Sequence, residues 1–219
     1  MDRRAVWESY GRFTAIICCT SFMGALHDIA FMRASAAFFL GVSMPLQSPS
    51  LSQLVDVAQS KSGVAVWLGA ALLLDSMQTF FSFVARFLVI VRLMEFSLAR
   101  TGLQLERSFE GIRRVFFVFV SVVCACGIVS SCVAASHFSK AAYYYQDAAA
   151  ILRASSDDVR ATAAAVQALP FELSAHKAMN VAFFSTITVH LLMVVCYIVA
   201  GTFCYKRFKA PPVRVSMWI

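Results

Sequence analysis

Two arginines lie within an otherwise apolar stretch, and their placement indicates charged side chains inside a membrane. Arg86 and Arg92 are six residues apart in the stretch Val64–Leu93, and a charged amphipathic segment follows them. A cationic side chain at this depth responds to the membrane potential, snorkels to lipid headgroups or pairs with an acid. Voltage sensors usually carry a basic residue at every third position, and here Val89 stands between the two arginines. Both interpretations stay open: a voltage sensor, or arginines that snorkel to the headgroups or pair with an acid.

Four further polar residues lie in apolar stretches and are expected to be buried polar groups. They are His27, Asp28, Asp75 and His190. An ionised carboxylate near the centre of a bilayer costs about 3 kcal/mol or more, so we expect Asp75 to pair with a cation from another span or subunit. A proton relay requires a chain of such groups across the membrane. The adjacent His27 and Asp28 therefore predict a local polar contact.

Enzymatic and metal-binding motifs are missing from the sequence. It contains no nucleotide-binding loop, no zinc-protease helix and no nucleophile elbow. All seven cysteines fall within apolar stretches, where cysteine acts as a small core residue. No histidine lies at ligand spacing from Cys124 and Cys126. We predict a protein that is not an enzyme and binds neither a metal nor a cofactor.

Composition indicates an integral membrane protein. Hydrophobic residues make up 60% of the chain, charged residues 14%, and the mean hydropathy is +0.73, outside the range of soluble domains. A hydrocarbon core of about 30 Å needs about 20 apolar residues in a helix. Four stretches without proline are long enough: Phe13–Met32, Val64–Leu93, Val115–His137 and Met179–Tyr205. The predicted fold is therefore all-α with four transmembrane helices, because lipid offers no hydrogen-bond partner to an open backbone.

Basic residues are divided unequally between the two sides that four spans create. With both termini on one side, that side holds 13 of the 19 lysines and arginines. The positive-inside rule then places both termini in the cytosol. The net charge of +7 fits contact with the anionic headgroups of the lipid bilayer. It is no argument for binding nucleic acid.

Two segments between the spans are predicted to be short helices. Residues 95–114 interleave apolar and charged side chains, which is typical of a helix lying on the cytosolic membrane surface. The second segment lies in the third loop, between the third and fourth apolar stretches. There Ser155–Asp158 provide an N-cap with acids in the first turn. An Ala-rich run follows until Pro170, which is expected to end the helix. At about 20 Å this helix is too short to span. It is either a re-entrant half-helix or an exofacial surface helix.

The order of these elements is similar to the pore half of the polycystin (TRPP-like) cation channels, spans three to six. The best match is RFLVIVRLMEFSLARTGLQLERSFEGIRRVFFVF, from Arg86 to Phe119, which resembles the sensor helix and linker of that family. The resemblance runs from near the start of the chain to about Lys206. It rests on order and spacing, since none of its motifs is highly specific.

The resemblance implies functional positions and a division of the chain. They are sensor-like Arg86 and Arg92, filter-like Leu169, Pro170, Phe171 and Glu172, and gate-like Val195, Cys196 and Val199. The segments are 1–94 (two sensor-like spans), 95–114 (linker), 115–209 (pore-like module) and 210–219 (cytosolic tail). The family's Gly-Asp filter pair and Leu-Leu-Asn gate are replaced here. Two functions therefore stay open: a channel-like subunit with cations as ligands, and an accessory subunit of a larger membrane complex, in either case within a homo- or hetero-oligomer.

Overall fold

A computed structural model describes residues 3–42, 50–98, 103–155 and 157–208. The regular structure within these ranges is helical: α1 (Arg3–Val42), α2 (Leu51–Leu98), α3 (Leu103–Ser155) and α4 (Asp158–Phe208). All four helices are long and apolar enough to cross a membrane. The predicted all-α class with four membrane-spanning helices is confirmed at this level, and it fits a multi-pass protein in a lipid bilayer.

Three of the helices are much longer than a bilayer requires. α2, α3 and α4 contain 48, 53 and 51 residues, or about 70 to 80 Å at about 1.5 Å per residue. In α3 the stretch free of charged residues lies between Arg114 and Lys140, and in α4 it lies between Lys177 and Lys206. Each stretch is sufficient to cross the hydrocarbon core. We therefore expect the end of α3 and the beginning of α4 to continue beyond the apolar layer.

The predicted start of the helix in the third loop is confirmed. Asp157 is the N-cap of α4, since the backbone N–H of Arg160 donates to its Oδ1 at 3.1 Å. The backbone N–H of Ala161 donates to the Asp157 carbonyl oxygen at 3.0 Å. A carboxylate at this position satisfies a backbone donor that the helix cannot satisfy itself and complements the positive end of the helix dipole.

The predicted end of that helix at Pro170 is wrong. α4 continues through Pro170 to Phe208, so a separate short half-helix is not found in the described part of the third loop. A proline inside a helix removes one backbone hydrogen bond and costs about 3 kcal/mol. The buried Ala168 and Ala175 lie on either side of it. Packing of these two turns offsets the cost, which a local sequence rule does not consider.

The predicted interface helix 95–114 is not a separate element in the residues that can be described. Residues 95–98 form the last turn of α2, and residues 103–114 form the first turns of α3. Residues 99–102, between the two helices, lie outside the described ranges, as does the predicted tail 210–219. A location on the membrane surface stays a prediction.

The helices form two compact units, each with its own core. The first unit comprises the described residues within 1–20, 79–125 and 185–219, and the second comprises those within 21–78 and 126–184. Large side chains fill the first core. Phe83, Val120 and Met193 are at most 1% exposed, and the rings of Phe87 and Phe116 stack at 6.0 Å.

The second unit is built on small side chains. In α2, α3 and α4 its buried residues recur mostly at steps of three and four, and we name the buried face of each helix its inner seam. These residues are Val55, Ala58, Ser62, Ala65, Gly69, Leu72 and Ser76 in α2; Gly127, Ser131, Ala134, Phe138, Ala141, Tyr145, Ala148 and Leu152 in α3; and Ala161, Ala164, Ala168, Ala175 and Ala182 in α4. Small residues allow helix backbones to approach closely, which is how membrane helices gain packing energy.

The part of α1 in the second unit contributes little to this core. Ala30 and Ala34 are its buried hydrophobic residues, whereas Phe31 and Met32, next to Ala30, are exposed. The Ser60 hydroxyl of α2 donates a hydrogen bond to the Ala37 carbonyl oxygen of α1. Exposed aromatic side chains on a membrane-spanning helix fit contact with lipid or with another transmembrane chain.

Candidate functional site

Polar side chains in the second unit form pairs between helices. The hydroxyl oxygens of Ser76 and Ser131 are 2.5 Å apart, and both residues are buried. The Gln146 side chain donates from Nε2 to the Ser62 hydroxyl at 3.0 Å. Such hydrogen bonds between membrane helices contribute about 0.6 kcal/mol on average. None of these four residues was predicted, although serine among small residues at three- and four-residue steps would have indicated Ser62, Ser76 and Ser131.

Glu172 lies in a third polar contact of the same unit. The Glu172 carboxylate of α4 lies beside the Tyr145 phenol of α3, close enough for its charge to act on that phenol. Tyr145 follows Lys140 and lies beyond the charge-free stretch of α3. The Lys61 Nζ is 5.4 Å from the centre of the Tyr145 ring. The acid of the predicted filter is therefore in contact with an α3 side chain of its own chain.

The other filter-like residues belong to the same helical turn as Glu172. Leu169 and Pro170 are exposed, whereas Phe171 is half-buried. The Ser174 hydroxyl donates to the Pro170 carbonyl oxygen at 2.8 Å, and Nδ1 of His176 is 2.7 Å from the Glu172 carbonyl oxygen. A selectivity filter of the potassium-channel type presents non-helical carbonyl oxygens to the ion. Here the carbonyl oxygens of Pro170 and Glu172 belong to a helix and are in contact with the side chains of Ser174 and His176.

Phe171 is the centre of an aromatic cluster that sequence reasoning did not find. Its ring stacks on Tyr144 at 5.5 Å and lies 6.1 Å from the ring of His137. The Lys140 Nζ is 5.7 Å from the ring centre. Nδ1 of His137 is buried and has no hydrogen-bond partner among the described residues. The spacing of residues 137, 140 and 144 along α3 places these side chains on one helix face.

The two sensor-like arginines have different surroundings. Arg86 is exposed. Nη1 of Arg92 is 3.0 Å from Glu95 Oε2, and Nη1 of Arg113 is 2.8 Å from Glu95 Oε1. Glu95 therefore connects the end of α2 to the beginning of α3 within the first unit. This arrangement corresponds to the pairing alternative for Arg92, while a sensing role stays a prediction.

The gate-like residues do not share one environment. Cys196 is half-buried and packs against the core of the first unit. Val195 and Val199 are 56% and 59% exposed. The structure therefore does not bring these three side chains together on an inner surface of the chain.

The four residues predicted as buried polar groups are at most partly buried by the described residues. His27 and Asp75 are half-buried, whereas Asp28 and His190 are exposed. Nδ1 of His27 is 3.2 Å from Oδ1 of Asp28. Nδ1 of His190 is 2.8 Å from the carbonyl oxygen of Thr186, one turn earlier in α4. These contacts are local to single helices.

A cavity of about 170 Å³ lies in the second unit. Its lining includes Lys61, Tyr145 and Asp158 among apolar residues of α2, α3 and α4. Sites for drug-sized ligands usually measure about 300 Å³ or more, so this cavity is smaller than such a site. Within the described ranges no group of three His, Cys, Asp or Glu residues could hold a metal ion.

The fold and these contacts define the chain as a four-helix, multi-pass membrane protein with interhelical polar pairs. No protein-family model, curated protein or solved structure matches it. The resemblance to polycystins stays a prediction, and the function has to be argued from the contacts.

Proposed function

We propose that this chain is a structural, non-conducting subunit of a membrane protein assembly. Its interior holds its own helices together, and its outer surface serves association within the membrane. The channel-like function of the polycystin resemblance is the alternative. Both functions agree with a multi-pass helical protein. The choice between them depends on whether the interior polar groups pair with each other or act on a passing ion.

The pairing of polar groups between helices of the same chain carries the proposal. A cation pore needs an acid whose field acts on the passing ion, and Glu172 is the acid nearest the filter-like position. Its carboxylate instead interacts with the phenol of Tyr145 within the same chain. Ser76 pairs with Ser131 and Gln146 pairs with Ser62 in the same unit. Polar groups that are satisfied by each other stabilise a bundle, which is the role of a structural subunit.

Orientation follows the distribution of basic residues. We propose that both termini are cytosolic and that the turn around Ser155 is exofacial, because 13 of 19 basic residues then lie on the cytosolic side. Membrane-impermeant maleimide applied to intact cells tests this orientation. It should label Ser155→Cys if the host membrane is the plasma membrane, and labelling only after permeabilisation there would reverse the assignment.

Two matched variants distinguish the structural function from the pore. Glu172→Gln and Tyr145→Phe each weaken the same contact, so for a structural subunit both should lower the free energy of unfolding by about 1 kcal/mol. Proteoliposomes containing either variant or the unsubstituted chain should show no cation flux above protein-free liposomes. A cation flux that Glu172→Gln reduces and Tyr145→Phe leaves unchanged would overturn the proposal in favour of a pore.

A further inference from the structure

The face of α4 opposite its inner seam carries exposed apolar side chains. Val159, Val166 and Leu173 are 80%, 54% and 60% exposed, and they follow one another at intervals of seven residues. Leu169 lies between the last two and is 52% exposed. Branched aliphatic side chains of this size are normally buried, so a series of them along one face indicates a missing partner.

Charge distinguishes this part of α4 from the part after Lys177. The charge-free stretch of α4 begins only after Lys177, and it is long enough to fill the hydrocarbon core. Residues 158–177 also include Arg160 and Glu172, whose charges are unfavourable in hydrocarbon. We therefore expect the exposed aliphatic residues before Lys177 to face water in a single copy of the chain.

The exposed residues continue the three-and-four spacing of a coiled-coil seam. We name this set the α4 outer stripe: Val159, Val166, Leu169, Leu173, Asn180 and Phe183, all of which are exposed. In heptad letters, Val159, Val166, Leu173 and Asn180 occupy the a positions, and Leu169 and Phe183 occupy d positions. The other two d residues lie towards the neighbouring helices: Thr162 lines the cavity of the second unit, and the His176 ring is 5.6 Å from that of Phe138. Residues at a and d pack into the seam of a second helix with the same pattern.

We propose that the α4 outer stripe packs against the same stripe of a second copy of this chain, as a parallel, in-register pair of α4 helices. This inference deepens the proposed function, because it names the partner of the outer surface. Two copies inserted in one bilayer with the same topology present α4 in the same direction. Their helices therefore meet in parallel, which is the arrangement that the a and d pattern needs.

Asn180 determines the register of this pair. It is the only asparagine of the chain, and it lies at an a position of the stripe. In an in-register parallel pair its side chain meets the same side chain of the partner, so each amide can donate to and accept from the other. A shift by one heptad would place the amide against Leu173 or Ile187, without a polar partner. Buried asparagine at an a position is known to fix the register of two-stranded coiled coils at some cost in stability.

Charges beside the stripe fit the same arrangement. In a parallel pair, a g residue of one helix lies next to the e residue five positions later in its partner. Glu172 is at a g position and Lys177 is at the following e position. Their opposite charges favour the parallel register on both sides of the pair. A carboxylate has two oxygens, so Glu172 can keep its contact with Tyr145.

Cysteine cross-linking of the full-length protein in native membranes tests the interface. Val166→Cys and Leu173→Cys place thiols on the stripe, whereas Gln167→Cys places one on the exposed flank of the same helix. After mild oxidation, the first two variants should form a disulfide-linked dimer above the level of the unsubstituted chain. Gln167→Cys should stay at that level. Equal cross-linking at positions 166 and 167, no dimer at either stripe position, or cross-links from Val166→Cys to an unlike chain would each overturn the proposal.

A charge introduced at the stripe provides a second test. Leu173→Glu places two like charges opposite each other in the pair and should abolish the dimer seen by native mass spectrometry, while Gln167→Glu should retain it. Circular dichroism should show that both variants keep their helix content. A monomeric, non-conducting unsubstituted chain would overturn the dimer and leave the proposed function in place. A Glu172-dependent cation flux from a dimeric protein would overturn the function and leave the dimer.

Discussion

Gly69 offers a direct test of the close packing between α2 and α3. A Cβ atom at this position would lie 3.2 Å from the Cα of Ala135, 3.5 Å from its Cβ and 3.6 Å from its carbonyl oxygen. The nearest of these is a backbone atom, and it can retreat only if the helix moves. Gly69→Leu adds four carbon atoms at this point. Overpacking of this kind costs about 1 to 3 kcal/mol, so we expect the free energy of unfolding to fall by that amount.

Gly63 is the matched control on the same helix. A Cβ there would meet only the Cβ of Ala37, at the ordinary contact distance of 3.5 Å. Gly63→Ala should therefore keep the packing and gain helix propensity, which stabilises by up to about 1 kcal/mol. Gly69→Ala should gain less than Gly63→Ala, because its methyl group needs Ala135 to move by a few tenths of an ångström.

The three variants can be compared by reversible unfolding in mixed micelles of mild and denaturing detergent, with helix content followed by circular dichroism. The expected order of stability is Gly63→Ala, then Gly69→Ala, then Gly69→Leu. If Gly69→Leu were as stable as the unsubstituted protein, α2 and α3 would not be in contact through their inner seams. The description of the second unit as a small-residue bundle would then be wrong.

Two further predictions concern hydrogen bonds of the second unit. In a double-mutant cycle of Ser76→Ala and Ser131→Ala, we expect a coupling free energy of about 0.6 kcal/mol. The same unfolding assay measures it, and zero coupling would contradict the 2.5 Å contact. Pro170→Ala should raise the free energy of unfolding by about 1 to 3 kcal/mol, because alanine restores a backbone donor and the exposed proline side chain loses little packing. A lower stability of that variant would show that the bundle needs the local geometry proline imposes.

Class, number of spans and one helix boundary could be predicted from the sequence. Hydropathy identified four spans because a helix that crosses hydrocarbon must be long and must contain few charges, and both properties can be read from the sequence. The N-cap at Asp157 was predictable because the carboxylate bonds to a backbone N–H only three residues away. Both signals are local, so an isolated sequence contains them in full.

The tertiary structure alone decided that α4 continues through Pro170, and it alone decided how the polar residues pair. Whether α4 continues through a proline depends on packing of Ala168 and Ala175 against other helices, which lies beyond the range of a local rule. The contact of Glu172 with Tyr145 joins residues of two different helices. Apolar residues in a span face either lipid or other helices at similar cost, so hydropathy does not indicate which face is inside. Only the fit of small side chains between helices determines that face, and fit is a property of the assembled structure.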